Sequence, residues 1–386
     1  MNDCAWFKTN LGSLVEINSR VINSNYPQKV INYIDTGSVT RNVFDTPQLL
    51  PVGSAPSRAK RLVKQGDTII STVRPIQRHY GYINDPVENL IVSTGFVVVT
   101  PKEIDPKFLY YVLTQDSITE YLNQIAESSA TAYPGFTPTL INNLEIFIPK
   151  GIPEQRAIAD VLSALDDKID LNRRMNQTLE ELAQTLFKHW LIDYPDEGWV
   201  KKPLDEIALF LNGLALQKYP PKGGEYLPVI KIAQLRTNHS EGADKAGVYL
   251  DPEYIVNDGD VLFSWSGSLT VILWCGGKGA LNQHLFKVTS DTYPKWFYYY
   301  WIKHHLPDFQ AIAEGKATTM GHIQRHHLHE AIVIVPDQKT LAGLTESIEP
   351  IIDKIIANNI ESRTLAELRD TLLPRLMSGQ VWVKAT

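Results

Sequence analysis

One helical segment occurs twice in this chain. Residues 167–187 and 353–373 are identical at ten of twenty-one positions, at a constant offset of 186 residues. Shorter matches precede each copy at offsets between 187 and 193: 66–67 with 259–260, 106–111 with 294–299, and 144–149 with 331–336. A period this long exceeds that of solenoid repeats. The repeat therefore predicts two copies of a unit made of one globular domain and one helix.

Each copy predicts a mixed α/β domain followed by a long helix. In the first domain we expect strands at 30–34, 67–73, 90–100 and 144–148, and helices at 105–115 and 117–126. The predicted organisation is a first domain over 1–150, a first long helix over 151–192, a linker and second domain over 193–336, and a second long helix with a C-terminal tail over 337–386.

The first long helix is expected from Pro153 to about Trp190, because this stretch has no further proline and no glycine. At 1.5 Å per residue it would be about 57 Å long. The second is expected to begin after Asp337, a suitable N-cap, and to end at Pro374 and Gly379.

Both helices carry a heptad-like apolar stripe that an asparagine interrupts at the same place. Antiparallel packing about the midpoints makes the numbers of facing residues sum to about 530. This pairing joins Asn172 with Asn358, Leu165 with Leu365, and Leu179 with Ile351. We therefore expect an intramolecular antiparallel coiled coil with pseudo-two-fold symmetry, whose register the asparagines set. The alternative is that each helix packs on its own domain.

Composition limits the class of protein. The chain has 386 residues, 44% of them hydrophobic, and no apolar run of membrane-spanning length, which predicts a soluble cytoplasmic protein. Cys4 and Cys275 are isolated, so neither a disulfide framework nor a thiolate zinc site is expected. The net charge is −6, yet residues 58–78 carry six basic groups against Asp67 alone. A local balance of +5 favours a polyanion at that surface, although solvated basic surfaces are also common.

Most of the motifs that would predict an enzyme are absent from the sequence. Phosphate-binding GxxxxGK[ST] and GxGxxG loops are absent, and so are HExxH and GxSxG. Four histidines lie within eight residues, at positions 322, 326, 327 and 329, but no suitably spaced cysteine completes a zinc site. We expect these histidines to be exposed or to contact phosphate. The prediction is therefore a non-catalytic protein without cofactor or metal.

Two polar segments at equivalent positions resemble DNA-reading loops. Residues 71–79 place arginine and glutamine just beyond a strand, and both residue types can form paired hydrogen bonds with guanine or adenine edges. In the second domain, 264–268 and 276–284 combine small residues with lysine, glutamine and histidine, which allows close approach to phosphate.

With these motifs, the chain resembles the specificity subunits of type I restriction-modification systems. The resemblance is most specific at 153–170, 368–379, 71–79 and 276–284, and it extends over essentially the whole length. It implies two target-recognition domains that each read half of a split DNA target, and helices that set the unread spacer. It also implies partners: double-stranded DNA, two modification subunits that methylate adenine, and ATP-dependent restriction subunits. Residues 336–340 depart from the corresponding 153–157, so the two helix ends need not bind partners equally.

The candidate DNA-contacting residues come from both domains. They are Arg58, Lys60, Arg61, Lys64, Arg74, Gln77, Arg78 and His79 in the first, and Ser264, Trp265, Ser266, Lys278, Gln283, His284, Lys316, His322 and Arg325 in the second. The alternative function is a non-catalytic adaptor whose domains bind proteins without sequence-specific DNA contacts.

Overall fold

The structure is a computed structural model that describes residues 6–23, 25–128, 134–315 and 321–384. These residues form two compact units, one of 1–167 with 367–386 and the other of 168–366. The candidates Lys316 and Cys4 lie outside the described residues.

The first unit is built from twelve named strands and three short helices among the described residues. In chain order they are β1 Trp6–Asn10, β2 Val15–Ile17, β3 Val30–Ile34, β4 Val39–Thr40, β5 Val43–Phe44, β6 Gln48–Pro51, β7 Ala59–Leu62, β8 Thr68–Ser71, β9 Tyr80–Tyr82, β10 Leu90–Ser93, β11 Phe96–Pro101, α1 Pro106–Leu113, α2 Asp116–Ser128, α3 Thr139–Asn142 and β12 Glu145–Pro149. The long helix α4 follows at Ile152–Lys188 and belongs to both units.

The second unit repeats this plan. Its elements are β13 Val200–Pro203, α5 Leu204–Ile207, β14 Leu209–Asn212, β15 Leu227–Ile230, α6 Ile232–Thr237, β16 Lys245–Ala246, β17 Ile255–Val256, β18 Val261–Ser264, β19 Val271–Leu273, β20 Gly279–Leu281, β21 Leu285–Thr289, α7 Lys295–Glu314, α8 Arg325–Glu330 and β22 Ile332–Val335. The second long helix, α9, runs from Gln338 to Met377.

Strand order shows that the duplication extends to topology. The sheet β6-β3-β10-β7 has its counterpart in β16-β15-β20-β17, and β2-β11-β8-β9 has its counterpart in β14-β21-β18-β19. In each unit the two central strands of the first sheet are parallel, β3 with β10 and β15 with β20. The remaining pairs, β1-β12 and β13-β22, correspond as well. The predicted mixed α/β class is confirmed.

Apolar side chains fix the interior of each unit. In the first, α1 buries its Phe108–Leu113 run against β11 and β12. In the second, α7 buries Trp296–Ile302, a continuous aromatic and aliphatic run, against β18 and β21. Because these helices are apolar on most faces, they lie inside their units.

The long helices contact each other around the asparagines within the second unit. Asn172 and Asn358 are buried, and Asn172 Nδ2 lies 3.4 Å from the Asn358 carbonyl oxygen. Lys168 pairs with Glu361 at 3.2 Å, and Asn176 Nδ2 donates to the Ile355 carbonyl at 3.2 Å. The numbers of these facing residues sum to 529, 530 and 531, so the helices are antiparallel and the expected coiled coil is confirmed.

Other apolar positions of the stripes lie within single units. Leu179 and Ile351 both pack against the main core of the second unit, whereas Ile158 and Leu372 belong to the core of the first. The predicted pair of Leu165 and Leu365 stays a prediction.

One sequence-based boundary was wrong, and both long helices end close to where the sequence predicts. The strand expected over 90–100 is two strands, because the chain turns between Ser93 and Phe96, where the Ser93 hydroxyl accepts the Gly95 N–H at 3.2 Å. Helix α9 continues past Pro374 to Met377. Gly379 follows it in the left-handed conformation, with a φ of +74°, and caps the helix. Helix α4 ends at Lys188, and a π-helical turn at His189–Asp193 follows it.

Asp337 is the expected N-cap of α9. Its Oδ1 accepts the backbone N–H groups of Lys339 and Thr340, both at 3.0 Å. Among the described residues, no helix combines the length and the apolarity needed to cross a membrane.

Candidate nucleic-acid interface

The candidate interface of the second unit forms where the parallel strands β15 and β20 end. Val229 pairs with Ala280 and Ile230 with Leu281, so Lys231 and the segment 282–284 leave the sheet side by side. The carboxyl ends of parallel strands commonly frame a ligand crevice. Here they frame a cleft of about 470 Å³ with an apolar floor that includes Val229 and a polar rim that includes Lys231, Asp244 and Gln283.

Three segments of the second unit meet at this edge. The Trp265 N–H donates to the His284 carbonyl at 3.3 Å, and the Ile323 N–H donates to the Trp265 carbonyl at 3.0 Å. Ser266 forms an isolated bridge with His322. The strand end 264–266 is therefore held between 282–284 on one side and 321–323 on the other.

The side chains on these segments form one polar and aromatic surface. The Trp265 ring lies 5.9 Å from the His284 ring and 6.3 Å from the His322 ring, centroid to centroid. Ser266 is buried below these rings, with 3% of its surface exposed, and its hydroxyl is 3.0 Å from His284 Nδ1, so its predicted DNA contact is corrected to a contact with His284. The guanidinium of Arg325 lies 5.7 Å from the centroid of the Phe286 ring. The structure thus brings together Trp265, Ser266, Gln283, His284, His322 and Arg325.

Two second-domain candidates lie elsewhere. Ser264 is fully buried, and its hydroxyl donates to the Ser268 carbonyl at 2.8 Å, so the predicted DNA contact by this side chain is corrected. Lys278 is exposed, but it precedes β20 and so lies at the opposite end of that strand from Gln283.

The first unit builds the equivalent edge with the same backbone hydrogen bonds. The Thr72 N–H donates to the Gly95 carbonyl at 2.8 Å, and the Phe136 N–H donates to the Thr72 carbonyl at 3.0 Å. Val73 forms the isolated bridge with Gly135. These contacts correspond one for one to those of Trp265, His284 and the 321–323 segment. The backbone is therefore repeated, while the side chains it presents are different.

Basic residues border this edge of the first unit. The Arg58 carbonyl accepts the Thr94 N–H at 2.8 Å, and the Arg74 N–H donates to the Pro134 carbonyl at 2.9 Å. Arg74 and Arg78 have left-handed backbones, with φ of 47° and 57°, on either side of a single 3-10 turn at Pro75–Gln77. Such conformations are uncommon for residues other than glycine, and they cluster at functional sites.

The first-unit candidates divide by exposure. Arg58, Lys60, Lys64, Arg74 and Gln77 are exposed.

The other candidates of the first unit have partners inside the protein. Arg61 is half-buried and donates to the Phe96 carbonyl and to Asn18 Oδ1, and burial lowers its pKa. Arg78 pairs with Asp116 at 2.6 Å, and His79 Nδ1 is 2.7 Å from the Val39 carbonyl. The predicted DNA contact by Arg61 is therefore corrected to a structural contact.

Sequence reasoning missed the rim residues of both edges. Lys231 and Asp244 form an ion pair beside the second-unit cleft, and Asp35 follows β3 at the equivalent place in the first unit. Only the parallel pairing of strands far apart in sequence brings these positions to one edge. The glycine at 95, inside an apolar run, was the available signal of a turn.

The histidine cluster has one arrangement that could suggest a metal. Donor atoms of His326, His327 and Glu330 lie within 4.8 Å of one another. However, His327 Nδ1 accepts the Gln324 N–H at 2.9 Å, so the neutral ring carries its proton on Nε2. While this helix cap is formed, neither nitrogen of the His327 ring has a free lone pair for a metal ion. His326, His327 and Glu330 therefore do not fit a metal site.

Comparison with known proteins identifies similar chains. The family model described as "Type I restriction modification DNA specificity domain" matches twice, at residues 5–181 and 196–369. The HindI type I restriction enzyme specificity subunit of Haemophilus influenzae is 25% identical, and the alignment covers 97% of this chain and 99% of that protein. The MjaIX specificity subunit of Methanocaldococcus jannaschii is 26% identical, with 84% and 79% covered.

A solved structure shares the fold. The S subunit of a type I restriction-modification system from M. genitalium aligns with a TM-score of 0.57 at 16% identity, covering 100% of this chain and 98% of that one.

Proposed function

This chain belongs to the type I restriction-modification DNA specificity family, and we propose that each of its two compact units reads one half of a split DNA target. It is a DNA sequence-specificity subunit, a recognition protein rather than a catalyst. In the proposal, the edges at 71–79 with 94–95 and at 264–266 with 282–284 contact the DNA, and the paired helices set the spacer between the half-sites.

One observation carries this proposal. The two units use the same backbone hydrogen bonds to present different side chains: Thr72 and Gly95 in the first, and Trp265 and His284 in the second. A repeated scaffold with exchanged side chains is what two readers of different sequences require, because base edges are distinguished by side-chain donors, acceptors and apolar contacts.

The residues proposed to contact DNA are the candidates whose side chains are exposed or partly exposed. In the first unit these are Arg58, Lys60, Lys64, Arg74 and Gln77, and Arg78 and His79 would contribute after exchanging their internal partners. In the second unit they are Trp265, Gln283, His284, His322 and Arg325, of which Arg325 is exposed and the others are partly exposed. Lys278 and Lys316 remain proposed as phosphate contacts.

The proposed partners follow from the family. We expect the chain to assemble with two modification subunits that methylate adenine and with restriction subunits, in the cytoplasm, where the DNA target is. Equivalent faces on α4 and α9 would serve as docking sites for the modification subunits. We also propose that the domain boundaries lie at residues 150, 192 and 336, as the sequence predicts.

The test compares half-site selectivity in single variants. Adenine methylation is mapped in cells that contain the modification subunits and the parent chain, Arg74→Ala, Gln283→Ala, or the control Gln184→Ala, which changes an exposed glutamine on α4. We expect each site variant to relax one half-site only, by about 1 to 3 kcal/mol per lost paired hydrogen bond, and the control to match the parent. An equal loss over all sequences would identify phosphate contacts instead. Assembly with the modification subunits but no sequence preference would support the adaptor and refute the proposal.

A further inference from the structure

An arginine of helix α9 binds an aspartate beside the start of β20, the strand that leads to the second unit's reading edge, which is the edge at 264–266 and 282–284 that is proposed to contact DNA. Arg363 Nη1 lies 2.8 Å from Asp258 Oδ1, and Nη2 lies 2.8 Å from Oδ2, which is the paired geometry that a guanidinium and a carboxylate favour. Nη1 also donates to the Cys275 carbonyl. Both charged side chains are mostly buried, with 19% and 25% of their surfaces exposed. The pair is therefore less screened than a surface ion pair.

The same carboxylate holds the glycine-rich segment 276–284. Asp258 Oδ1 accepts the Gly277 N–H at 2.8 Å, and the Trp274 indole donates to the Gly277 carbonyl at 2.6 Å. Gly277 has a φ of +85°, and a Cβ atom there would lie 3.4 Å from Arg363 Nη1. Hydrogen bonds from Arg363 and from Gly277 lower the pKa of Asp258, so it is charged at neutral pH. One carboxylate thus connects the helix to the start of this segment.

Strand β20 links this anchor to the residues proposed to read DNA. It follows Gly277 by two residues, pairs with β15 and β17, and ends directly before Asn282 and Gln283. At about 3.3 Å per residue, the anchor and Gln283 are roughly 20 Å apart along the chain. Strand β20 is the direct connection through which a displacement of Gly277 would reach Gln283.

The first copy has neutral residues at the corresponding sequence positions. Alignment of Gly259-Asp260 with Gly66-Asp67 places Gln65 opposite Asp258, and the helix offset of 186 places Gln177 opposite Arg363. Two glutamines do not form an ion pair. The first copy therefore cannot form this ion pair at the corresponding positions.

We propose that Arg363 is a positioning residue that fixes the second unit's reading edge to helix α9, and that it governs discrimination at the second half-site only. The inference rests on the proposed function of that edge. Arg363 itself touches no DNA in this proposal; it acts through Asp258 and Gly277.

The test uses the full chain assembled with modification subunits and measures methylation of targets that carry a mismatch in one half-site or the other. The variants are Arg363→Lys, Arg363→Gln and Asp258→Asn, with Arg174→Gln as a control, since Arg174 is an exposed arginine of α4. We expect Arg363→Gln and Asp258→Asn to reduce discrimination at the second half-site by roughly tenfold, the effect of one misplaced paired hydrogen bond. Arg363→Lys keeps the charge without the fork, so an intermediate loss is expected.

The measurements distinguish a positioning role of Arg363 from a purely structural role. First half-site discrimination should equal the parent's in all variants, and Arg174→Gln should change neither. A purely structural role predicts equal losses at both half-sites together with a lower melting temperature, and that result overturns the proposal. Unchanged second half-site discrimination in Arg363→Gln overturns it too. If the parent itself shows no sequence preference, the proposed function has failed, whereas a selective parent with insensitive variants refutes only the positioning role.

Discussion

Replacing the two buried asparagines of the long helices should make the protein more stable and the register of the helices less strictly defined. Asn172 and Asn358 are 0% and 1% exposed, and the Oδ1 atoms of both lack a hydrogen-bond partner within the described part of the protein. Their Nδ2 atoms are satisfied: that of Asn358 donates to Asn176 Oδ1 at 2.8 Å, and that of Asn172 to Glu361 at 2.8 Å. Each amide is therefore half-satisfied, a costly state in a protein interior.

The expected magnitude follows from these contacts. An unpaired buried oxygen costs about 1 to 3 kcal/mol, whereas a typical hydrogen bond contributes about 1 kcal/mol net. Substituting leucine at both positions removes two unpaired oxygens, the 2.8 Å hydrogen bond that each amide nitrogen donates, and the longer contacts of these nitrogens at 3.3 to 3.4 Å, which contribute less. Leucine–leucine packing is also the ordinary content of a coiled-coil seam. We expect the double variant to raise the free energy of unfolding by about 2 kcal/mol.

The assay is urea unfolding followed by tryptophan fluorescence, with Gln184→Leu as the control for an added leucine on an exposed helix face. In parallel, methylation of targets with altered spacer lengths reports register, because a buried polar pair in a seam specifies register at a cost in stability. We expect the asparagine double variant to accept a wider range of spacers. A decrease in unfolding free energy would contradict the energetic argument, and an unchanged spacer preference would contradict the register role.

Three further predictions concern the helices and the buried thiol. Removing one heptad from each of α4 and α9 should shorten the unread spacer and leave both half-sites unchanged, as mapped by adenine methylation; altered half-sites would refute the spacer role. Burial raises the pKa of Cys275 to about 11, so in a Cys4→Ser background this thiol should resist Ellman's reagent at pH 8 and react at once in urea. Hydrogen bonds from the Thr340 backbone and hydroxyl lower the pKa of Asp337, so its stabilising effect is present above pH ~4 and is lost as the pH falls through the depressed value. In Asp337→Asn, the free energy of unfolding, measured in urea between pH 3 and pH 6, should therefore fall less steeply as the pH is lowered. An unchanged slope would rule out this contribution.

The long helices were predictable because their stripe is a local pattern. Apolar spacing and Asp337 located α9, and the matching asparagines predicted the antiparallel register that the Asn172–Asn358 contact shows. Helix α9 passes Pro374 for a local reason as well. A proline in the last turn loses one backbone hydrogen bond, and the Ser378 N–H still donates to the Pro374 carbonyl at 3.0 Å, so the helix continues to its glycine cap.

The candidate interfaces were only partly predictable, because they depend on strand pairing over long sequence distances. Residue type alone selected Gln283, His284 and Arg74. It could not distinguish Arg61, which turns inward to the Phe96 carbonyl, from its exposed neighbour Lys60. Alternation along β7 places these two side chains on opposite faces of the sheet, but which face is buried depends on the partner strand β10.

The long helices of the two copies are more alike in sequence than the domains are, and this difference follows from what holds each backbone in place. At each reading edge, position is held by main-chain hydrogen bonds, such as those of Thr72 and Trp265, which almost any side chain permits. In the paired helices, position is held by side chains that must fit their counterparts, as Asn172 fits against Asn358. Side chains at the reading edges can therefore change without moving the backbone, whereas side chains between the two long helices cannot. For that reason, exchanging the edge residues between the two units should transfer selectivity more readily than exchanging residues of the helices.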